Sequence, residues 1–186
     1  MQRGCFGSGS RGFTLIELMT VLAVLAVLLG LGTASFNRLM ETTRLRTLSN
    51  DLLNDLRLTR SEAILRGERV VMCAAIAADT CSNVAGWHQG WLLFQDANNN
   101  GWRDAAEPVL RVRPAAPVGW TMAGNSPVAR YVSYDALGAT RMTGGAFQAG
   151  TVTICRSGAS NVPARRVIIN SMGRPRSEEA LLSRCD

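Results

Sequence analysis

The stretch Gly12-Phe13-Thr14-Leu15-Ile16-Glu17 and the apolar run behind it decide how this chain is built. Residues 18–37 contain no charged side chain, and most of them are Leu, Val or Ala. At a rise of about 1.5 Å per residue, roughly 20 apolar residues span the hydrocarbon core of a bilayer. The pattern therefore predicts a membrane-spanning helix over residues 13–36.

Glu17 is the charged residue inside this apolar segment. A carboxylate at bilayer depth costs about 2.5–3.5 kcal/mol, so such a residue is expected to serve a function. The alternative is a plain membrane anchor that tolerates one shallow glutamate.

The helix is expected to continue beyond the bilayer, because no proline occurs before Pro108. Apolar and small residues recur at intervals of three and four, which predicts one buried stripe along a helix. The stripe comprises Leu45, Leu48, Leu52, Leu56, Thr59 and Ala63. Gly67 suits the position just after a helix end. The prediction is one helix from Phe13 to Arg66, with residues 37–66 as its soluble half.

Beyond residue 66 the pattern changes to short β-rich runs separated by Gly, Pro, Asn and Ser. Such runs predict short strands, here over residues 69–75, 87–95, 109–113, 120–122, 130–134, 151–155 and 166–170. Strands that accompany one long helix predict an α+β domain, which occupies residues 67–186.

The distribution of basic residues predicts the topology. The chain has 20 basic residues, all of them arginine, and a formal net charge of +6. Arg3 and Arg11 precede the apolar run, which places the start of the chain in the cytoplasm and the domain outside. The domain would therefore lie in an oxidising compartment.

Four cysteines follow the apolar run, and in an oxidising compartment they permit three disulfide pairings. Proximity in the sequence favours Cys73–Cys81 and Cys155–Cys185, the second of which would tie the end of the chain to the body. A four-cysteine zinc site is the competing interpretation, and it lacks the usual CxxC pair.

Residues 96–107 carry the spacing of a calcium-binding loop. Positions 1, 3, 5, 6, 9 and 12 of such a loop match Asp96, Asn98, Asn100, Gly101, Asp104 and Glu107. The flanking segments are predicted strands rather than helices, and Asn and Gly also suit a tight turn. We expect a structural turn, with calcium binding as the alternative.

Nothing in the sequence favours an enzyme or a resident cofactor. His88 is the only histidine, so a metal site built on several histidines is excluded. Four tryptophans could form a stacking face for bases, but tryptophans in short strands more often belong to the core.

The leader, residues 1–12, and the motif that follows it resemble the class III signal of type IV prepilins and pseudopilins. The resemblance implies that a prepilin peptidase cuts after Gly12 and methylates the new N-terminal Phe13. Cys5, Arg3 and Arg11 would leave with the leader, which lowers the formal net charge from +6 to +4.

The body resembles one branch of that family, the GspH/FimT minor pilins and pseudopilins. The resemblance rests on residues 53–63, on Gly90-Trp91, on Phe94-Gln95-Asp96 and on residues 107–110. It implies a type IV pilin-like fold, in which a long N-terminal helix packs on a β-sandwich-like antiparallel domain.

Near the C-terminus, Gly173-Arg174-Pro175-Arg176 resembles the GRxR motif of FimT-type minor pilins, which implies capture of double-stranded DNA in natural transformation. Arginine pairs with phosphate through two parallel hydrogen bonds. Arg156, Arg166 and Arg184 are expected to join this patch, since a Cys155–Cys185 bridge would gather Arg156 and Arg184 near the same end. Glu178 and Glu179 would neutralise part of the patch, and an ordinary solvated turn is the alternative.

The sequence thus predicts a minor pilin, single-pass in the inner membrane, whose periplasmic domain joins other pilin subunits in a fibre. Glu17 would be neutralised there by the amine of Phe13 on a neighbouring subunit. The alternative is a purely structural subunit that primes or caps a type IV pilus or a type II secretion pseudopilus.

Overall fold

A computed structural model describes residues 12–77, 80–83 and 86–185 of the chain. The chain divides into two compact units, Met1–Glu41 and Thr42–Asp186. The predicted leader, apart from Gly12, lies outside the described residues. Within the described part, no helix is both long enough and apolar enough to cross a membrane.

Helix α1 comprises Leu15–Arg66 and begins two residues after the predicted start at Phe13. Thr14 caps it: the Thr14 hydroxyl accepts the Glu17 N–H at 3.3 Å, and the Thr14 carbonyl accepts the Leu18 N–H at 3.2 Å. Thr14 and Glu17 therefore occupy the first and last positions of a capping-box pattern. Gly67, with φ of +67°, follows the helix end as expected.

Two antiparallel sheets make up the β-rich part. The first contains β1 (Val70–Ala77), β2 (Thr80–Cys81), β3 (Trp91–Gln95), β4 (Val109–Arg113) and β6 (Tyr131–Tyr134). In it, β1 pairs with β2, β3 and β6, and β4 pairs with β3. The second sheet has the order β5-β7-β8-β9, with β5 (Trp120–Gly124), β7 (Gly150–Arg156), β8 (Ser160–Ile169) and β9 (Pro175–Arg184).

The core of the second unit forms around the predicted stripe of α1. All six stripe residues are buried, and the four leucines among them contribute about 1.5–3 kcal/mol each. They share one cluster with side chains of both sheets, among them Met72, Leu93, Ile154 and Val167. The stripe therefore joins the two sheets into one core.

Asp55 is the polar group that links α1 to the first sheet, and its side chain is fully buried. Its carboxylate accepts hydrogen bonds from Arg111 at 2.7 Å, from Arg113 at 3.0 Å and from the Trp91 indole at 2.9 Å. Burial alone would raise the pKa of Asp55, but the hydrogen bonds from Arg113, Arg111 and Trp91 outweigh it and lower that pKa.

The last two strands differ most from the sequence prediction. The predicted strand 166–170 is the end of a longer strand, β8, and the sequence pattern predicts no strand where β9 forms. Residues 177–184 include Glu, Ala and Leu, which favour helix over strand. Nine residue pairs with β8 override that preference.

The predicted strand 87–95 is also divided. Its first part is a 3₁₀ turn, Trp87–Gln89, and only Trp91–Gln95 forms a strand. Gly90 between them has φ of +109°, and a Cβ there would lie 2.6 Å from the Arg113 carbonyl oxygen. The close approach of β4 therefore breaks the run.

Two disulfides lie within the described residues, Cys73–Cys81 and Cys155–Cys185, with Cα–Cα distances of 5.7 and 5.9 Å. These are the pairings that proximity in the sequence favours. The first joins β1 to β2, and the second joins β7 to the residue that follows β9.

Candidate functional site: the β8–β9 turn

The GRxR sequence begins in the turn between β8 and β9, residues 170–174, and ends at the start of β9. The turn is held by its own hydrogen bonds. Asn170 accepts the Gly173 N–H on its carbonyl and the Arg174 N–H on its side-chain oxygen, both at 2.9 Å. Because the backbone is fixed at both positions, Arg174 is presented from a rigid turn. The side chains of Arg174 and Arg176 are exposed.

Gly173 is buried, and its role is to let the turn contact the neighbouring turn at residues 135–139. It has φ of +71°, which favours glycine. A Cβ at this position would lie 2.0 Å from the Gly138 carbonyl oxygen and 3.0 Å from Cε1 of Tyr134. The glycine of the motif is therefore required by packing as well as by backbone conformation.

We expect Gly173→Ala to lower the free energy of unfolding by about 1–3 kcal/mol, because it combines backbone strain with a clash against backbone. Gly158→Ala is the matched control: its φ is +69°, and nothing lies within 4 Å of a Cβ there. Urea denaturation of the full chain in detergent would measure both. Equal losses for the two variants would contradict the packing role.

The two motif arginines have different surroundings. Arg176 lies 3.9 Å from the Glu178 carboxylate, and the two side chains are 65% and 42% exposed. Arg174 instead lines a recess against α1, together with Arg57, Arg60, Ser61, Ile64 and Pro175. The charge of Arg176 is thus partly balanced by its own strand.

Glu178 and Glu179 lie on opposite faces of β9, because successive strand residues alternate. Glu178 is directly opposite Arg166, while Glu179 pairs with Arg165 at 2.7 Å. The expected neutralisation therefore comes from Glu178, which sits between Arg166 and Arg176 on one face.

The expectation that Arg156 and Arg184 join this patch is wrong. Arg176 pairs with Ile168, whereas Arg184 pairs with Ser160, eight residues further along the hairpin. At about 3.3 Å per residue, the two positions are roughly 26 Å apart. Arg156 ends β7, beside the Cys155 that is bridged to Cys185. The disulfide gathers these arginines at the opposite end because β9 is a long strand rather than a short tail.

The α1 side of the recess is the part that sequence reasoning missed. Arg57, Arg60, Ser61 and Ile64 follow the spacing i, i+3, i+4 and i+7, so they lie on one face of the helix. This regular spacing was readable, but no sequence signal indicates that residue 174 lies opposite this face.

The loop between β3 and β4, residues 96–107, is shaped by two buried acids. Asp96 accepts the N–H groups of Asn100 and Gly101 at 3.1 and 2.9 Å. Glu107 accepts those of Ala97 and Asp104 at 3.0 and 2.9 Å. Burial raises the pKa of Asp96, and the charge of Glu107 adds to this increase. The four carboxylate oxygens therefore organise the turn from inside.

Two further observations concern the metal sites and the base-stacking tryptophans that the sequence analysis raised as alternatives. In the part of the chain that the structure describes, no three His, Cys, Asp or Glu side chains are grouped to hold a metal ion. Trp87 and Trp91 are buried in the core, with ring centroids 6.5 Å apart. Their indole N–H groups donate to Val128 and Asp55, so these two tryptophans are structural.

Sequence comparison finds two family matches. Residues 48–173 match the family described as type II transport protein GspH. Residues 7–33 match the prokaryotic N-terminal methylation motif. No curated protein sequence matches the chain at a significant level.

Comparison with solved structures finds the type IV minor pilin FimU of Pseudomonas aeruginosa. The match to one crystal form has 20% sequence identity and a TM-score of 0.59, and it covers 80% of this chain and 99% of the FimU chain. A second form has a TM-score of 0.54 and 20% identity, covering 76% of this chain and 100% of that one. This likeness shows a type IV pilin fold and confirms the predicted α+β class.

Proposed function

The chain belongs to the GspH family of type II transport proteins, and we propose that this minor pilin or pseudopilin binds double-stranded DNA through its β8–β9 turn. One observation supports the proposal above others. Arg174 and Arg176 are exposed at the tip of a long hairpin whose turn is anchored by Asn170 and Gly173. Exposed guanidinium groups that project from a fixed backbone suit phosphate contacts, which do not depend on base sequence.

The proposed role is capture of DNA for uptake in natural transformation. Phosphate contacts release counterions, so binding would weaken steeply as the salt concentration rises. The formal net charge of +4 after loss of the leader would add attraction over a longer range.

The proposed location follows from the N-terminal motif. The methylation motif and the pilin family indicate a membrane-anchored protein that associates with prepilin peptidase and with other pilin subunits. We propose cleavage after Gly12, methylation of Phe13, a single pass through the inner membrane over residues 13–36, and a periplasmic domain. In the fibre, Glu17 would pair with the amine of Phe13 on a neighbouring subunit.

The test compares two double variants that remove the same charge from opposite ends of the hairpin. Arg174→Gln with Arg176→Gln removes the two arginines of the turn, and Arg156→Gln with Arg184→Gln removes two from the far end. We expect the first to weaken binding of a labelled DNA duplex by about 100-fold or more, and to lower the slope of log affinity against log salt by about two. Fluorescence anisotropy with the full chain in detergent would measure both quantities.

The control variant is expected to keep its affinity within about threefold, because loss of distant charge weakens steering only. Equal losses in both double variants would show that binding follows net charge and not the turn. Unchanged duplex binding by the first variant would show that the β8–β9 turn is not the DNA-binding surface. No duplex binding by the wild-type protein would remove the DNA role and leave a structural subunit.

A further inference from the structure

We infer that the recess between α1 and the β8–β9 turn is a phosphate-binding site, and that Arg57 is a further DNA-contacting residue. The inference rests on the proposed function for the identity of its ligand. It extends the site from one turn to two separate elements of the fold.

The recess has one wall from each element. Helix α1 supplies Arg57, Arg60, Ser61 and Ile64, and the turn supplies Arg174 and Pro175 across from them. The cavity volume is about 390 Å³, within the range of sites that hold small ligands. The cavity is large enough to hold a phosphodiester with its attached sugar.

The side chains that line the recess give it a positive charge, and no acidic side chain among them balances it. Three of the six lining residues are arginines, and none of the six is acidic. Arg60 donates its Nε–H to the Gly138 carbonyl at 3.0 Å, which leaves the four other N–H groups of its guanidinium for other partners. That bond also fixes Arg60 beside the glycine turn that contacts Gly173.

Arg57 is the residue best placed to act with Arg174. Its side chain is exposed, and it lies one helical turn from Arg60 on the same face. Two guanidinium groups on facing walls can each offer parallel hydrogen bonds to the oxygens of one phosphate. Ile64 and Pro175 provide apolar surface suited to a deoxyribose ring.

The recess is also a better anion site than the Arg176 side of the turn. Arg176 has the Glu178 carboxylate at 3.9 Å, a contact that competes with phosphate. We therefore expect Arg57 and Arg174 to contribute more to DNA affinity than Arg176 does.

The experiment measures binding to full-length protein in detergent with two probes, a labelled DNA duplex and inorganic pyrophosphate. Arg57→Gln is expected to weaken duplex binding about tenfold, to lower the salt slope by about one, and to weaken pyrophosphate binding. Arg57→Lys is expected to recover part of the loss, since it keeps the charge but not the paired hydrogen bonds. Arg44→Gln is the matched control: it removes the same charge from an exposed site on α1, about 20 Å away along the helix, and should change binding less than twofold.

Four outcomes separate this inference from the proposed function. Loss of duplex binding in Arg174→Gln with Arg176→Gln, but not in Arg57→Gln, would overturn the inference and leave the proposed function standing. Pyrophosphate binding that depends on Arg57, in a protein that binds no duplex, would support the recess and overturn the DNA role. Binding of neither probe would overturn both. Unchanged binding of both probes by Arg57→Gln, together with loss of fibre incorporation, would assign the recess to a subunit contact instead.

Discussion

Asp55→Asn is expected to lower the free energy of unfolding by about 3 kcal/mol, because it removes the charge that holds two arginines against α1. The Asp55 side chain is fully buried, and its carboxylate bonds Arg111, Arg113 and Trp91. Asparagine can still accept from the indole, but it cannot neutralise both guanidinium groups. The link between α1 and the first sheet is therefore weakened while the volume of the side chain is preserved.

Asp51→Asn is the matched control for Asp55→Asn. Asp51 lies about one helical turn earlier and contacts Arg113 at 3.8 Å with a side chain that is 36% exposed. Exposed pairs of this kind contribute less than about 1 kcal/mol. Urea denaturation followed by tryptophan fluorescence would compare the two variants, and equal losses would contradict the importance of burial at Asp55.

The pH dependence gives a second test at the same position. The pKa of Asp55 is lower in the folded protein than the ordinary value of 3.8. The stability that its charge provides is therefore present above that ordinary value and is lost as the pH falls through the folded-state pKa. We expect the stability difference between the wild-type protein and Asp55→Asn to shrink in this acidic range. A difference that stays constant on acidification would argue against a charged Asp55.

Glu17→Ala is expected to leave leader cleavage intact and to abolish incorporation into fibres. An unpaired charge at bilayer depth costs about 2.5–3.5 kcal/mol, and pairing with an amine in the fibre would relieve that cost. Alanine has no such cost to relieve, so the assembly equilibrium would lose a factor of about 100. Immunoblots of sheared fibres from the producing cells would measure incorporation, and electrophoretic mobility would report cleavage.

Glu17→Gln distinguishes charge pairing from helix capping. The Thr14 hydroxyl accepts the backbone N–H of Glu17. Residues 14 and 17 also have the sequence of a capping box, in which the side chain at the last position can be glutamate or glutamine. If the carboxylate pairs with the amine of Phe13, glutamine should fail as alanine does. Normal incorporation of Glu17→Gln would assign the residue to capping and would refute the pairing.

The parts of the fold that follow from periodic burial could be read from the sequence. The stripe from Leu45 to Ala63 is buried as its spacing predicts. The strand predicted over residues 109–113 has the bounds of β4, and the strand predicted over residues 151–155 forms most of β7. Each of these segments has a local pattern that agrees with its final environment, which is the condition under which sequence reasoning works.

The parts of the fold and of the site that depend on a partner distant in the sequence could not be predicted from the sequence. β9 contains helix-favouring residues and becomes a strand because β8 lies beside it. Gly173 could be assigned to a turn, but its contact with Gly138 has no local signal. The same holds for Arg57 and Arg174, which line one recess although more than 100 residues separate them. The sequence does not single out Asp55 for a related reason. Its structural role becomes visible only when its hydrogen-bond partners are known, and these lie far away in the sequence.

The Cys155–Cys185 bridge gives the hairpin a mechanical consequence. If DNA binds the turn as proposed, a pull on it would load β8 and β9 along their length. Their ladder hydrogen bonds, which are perpendicular to the strands, would resist this load in shear. At the far end β9 is covalently joined to β7 through Cys185. Tension entering at Arg174 or Arg176 would therefore pass along β9 into a covalent bond instead of peeling the edge strand away. Whether Cys155 and Cys185 are oxidised to the disulfide or reduced to thiols would therefore set how much force β9 withstands before it detaches from the sheet.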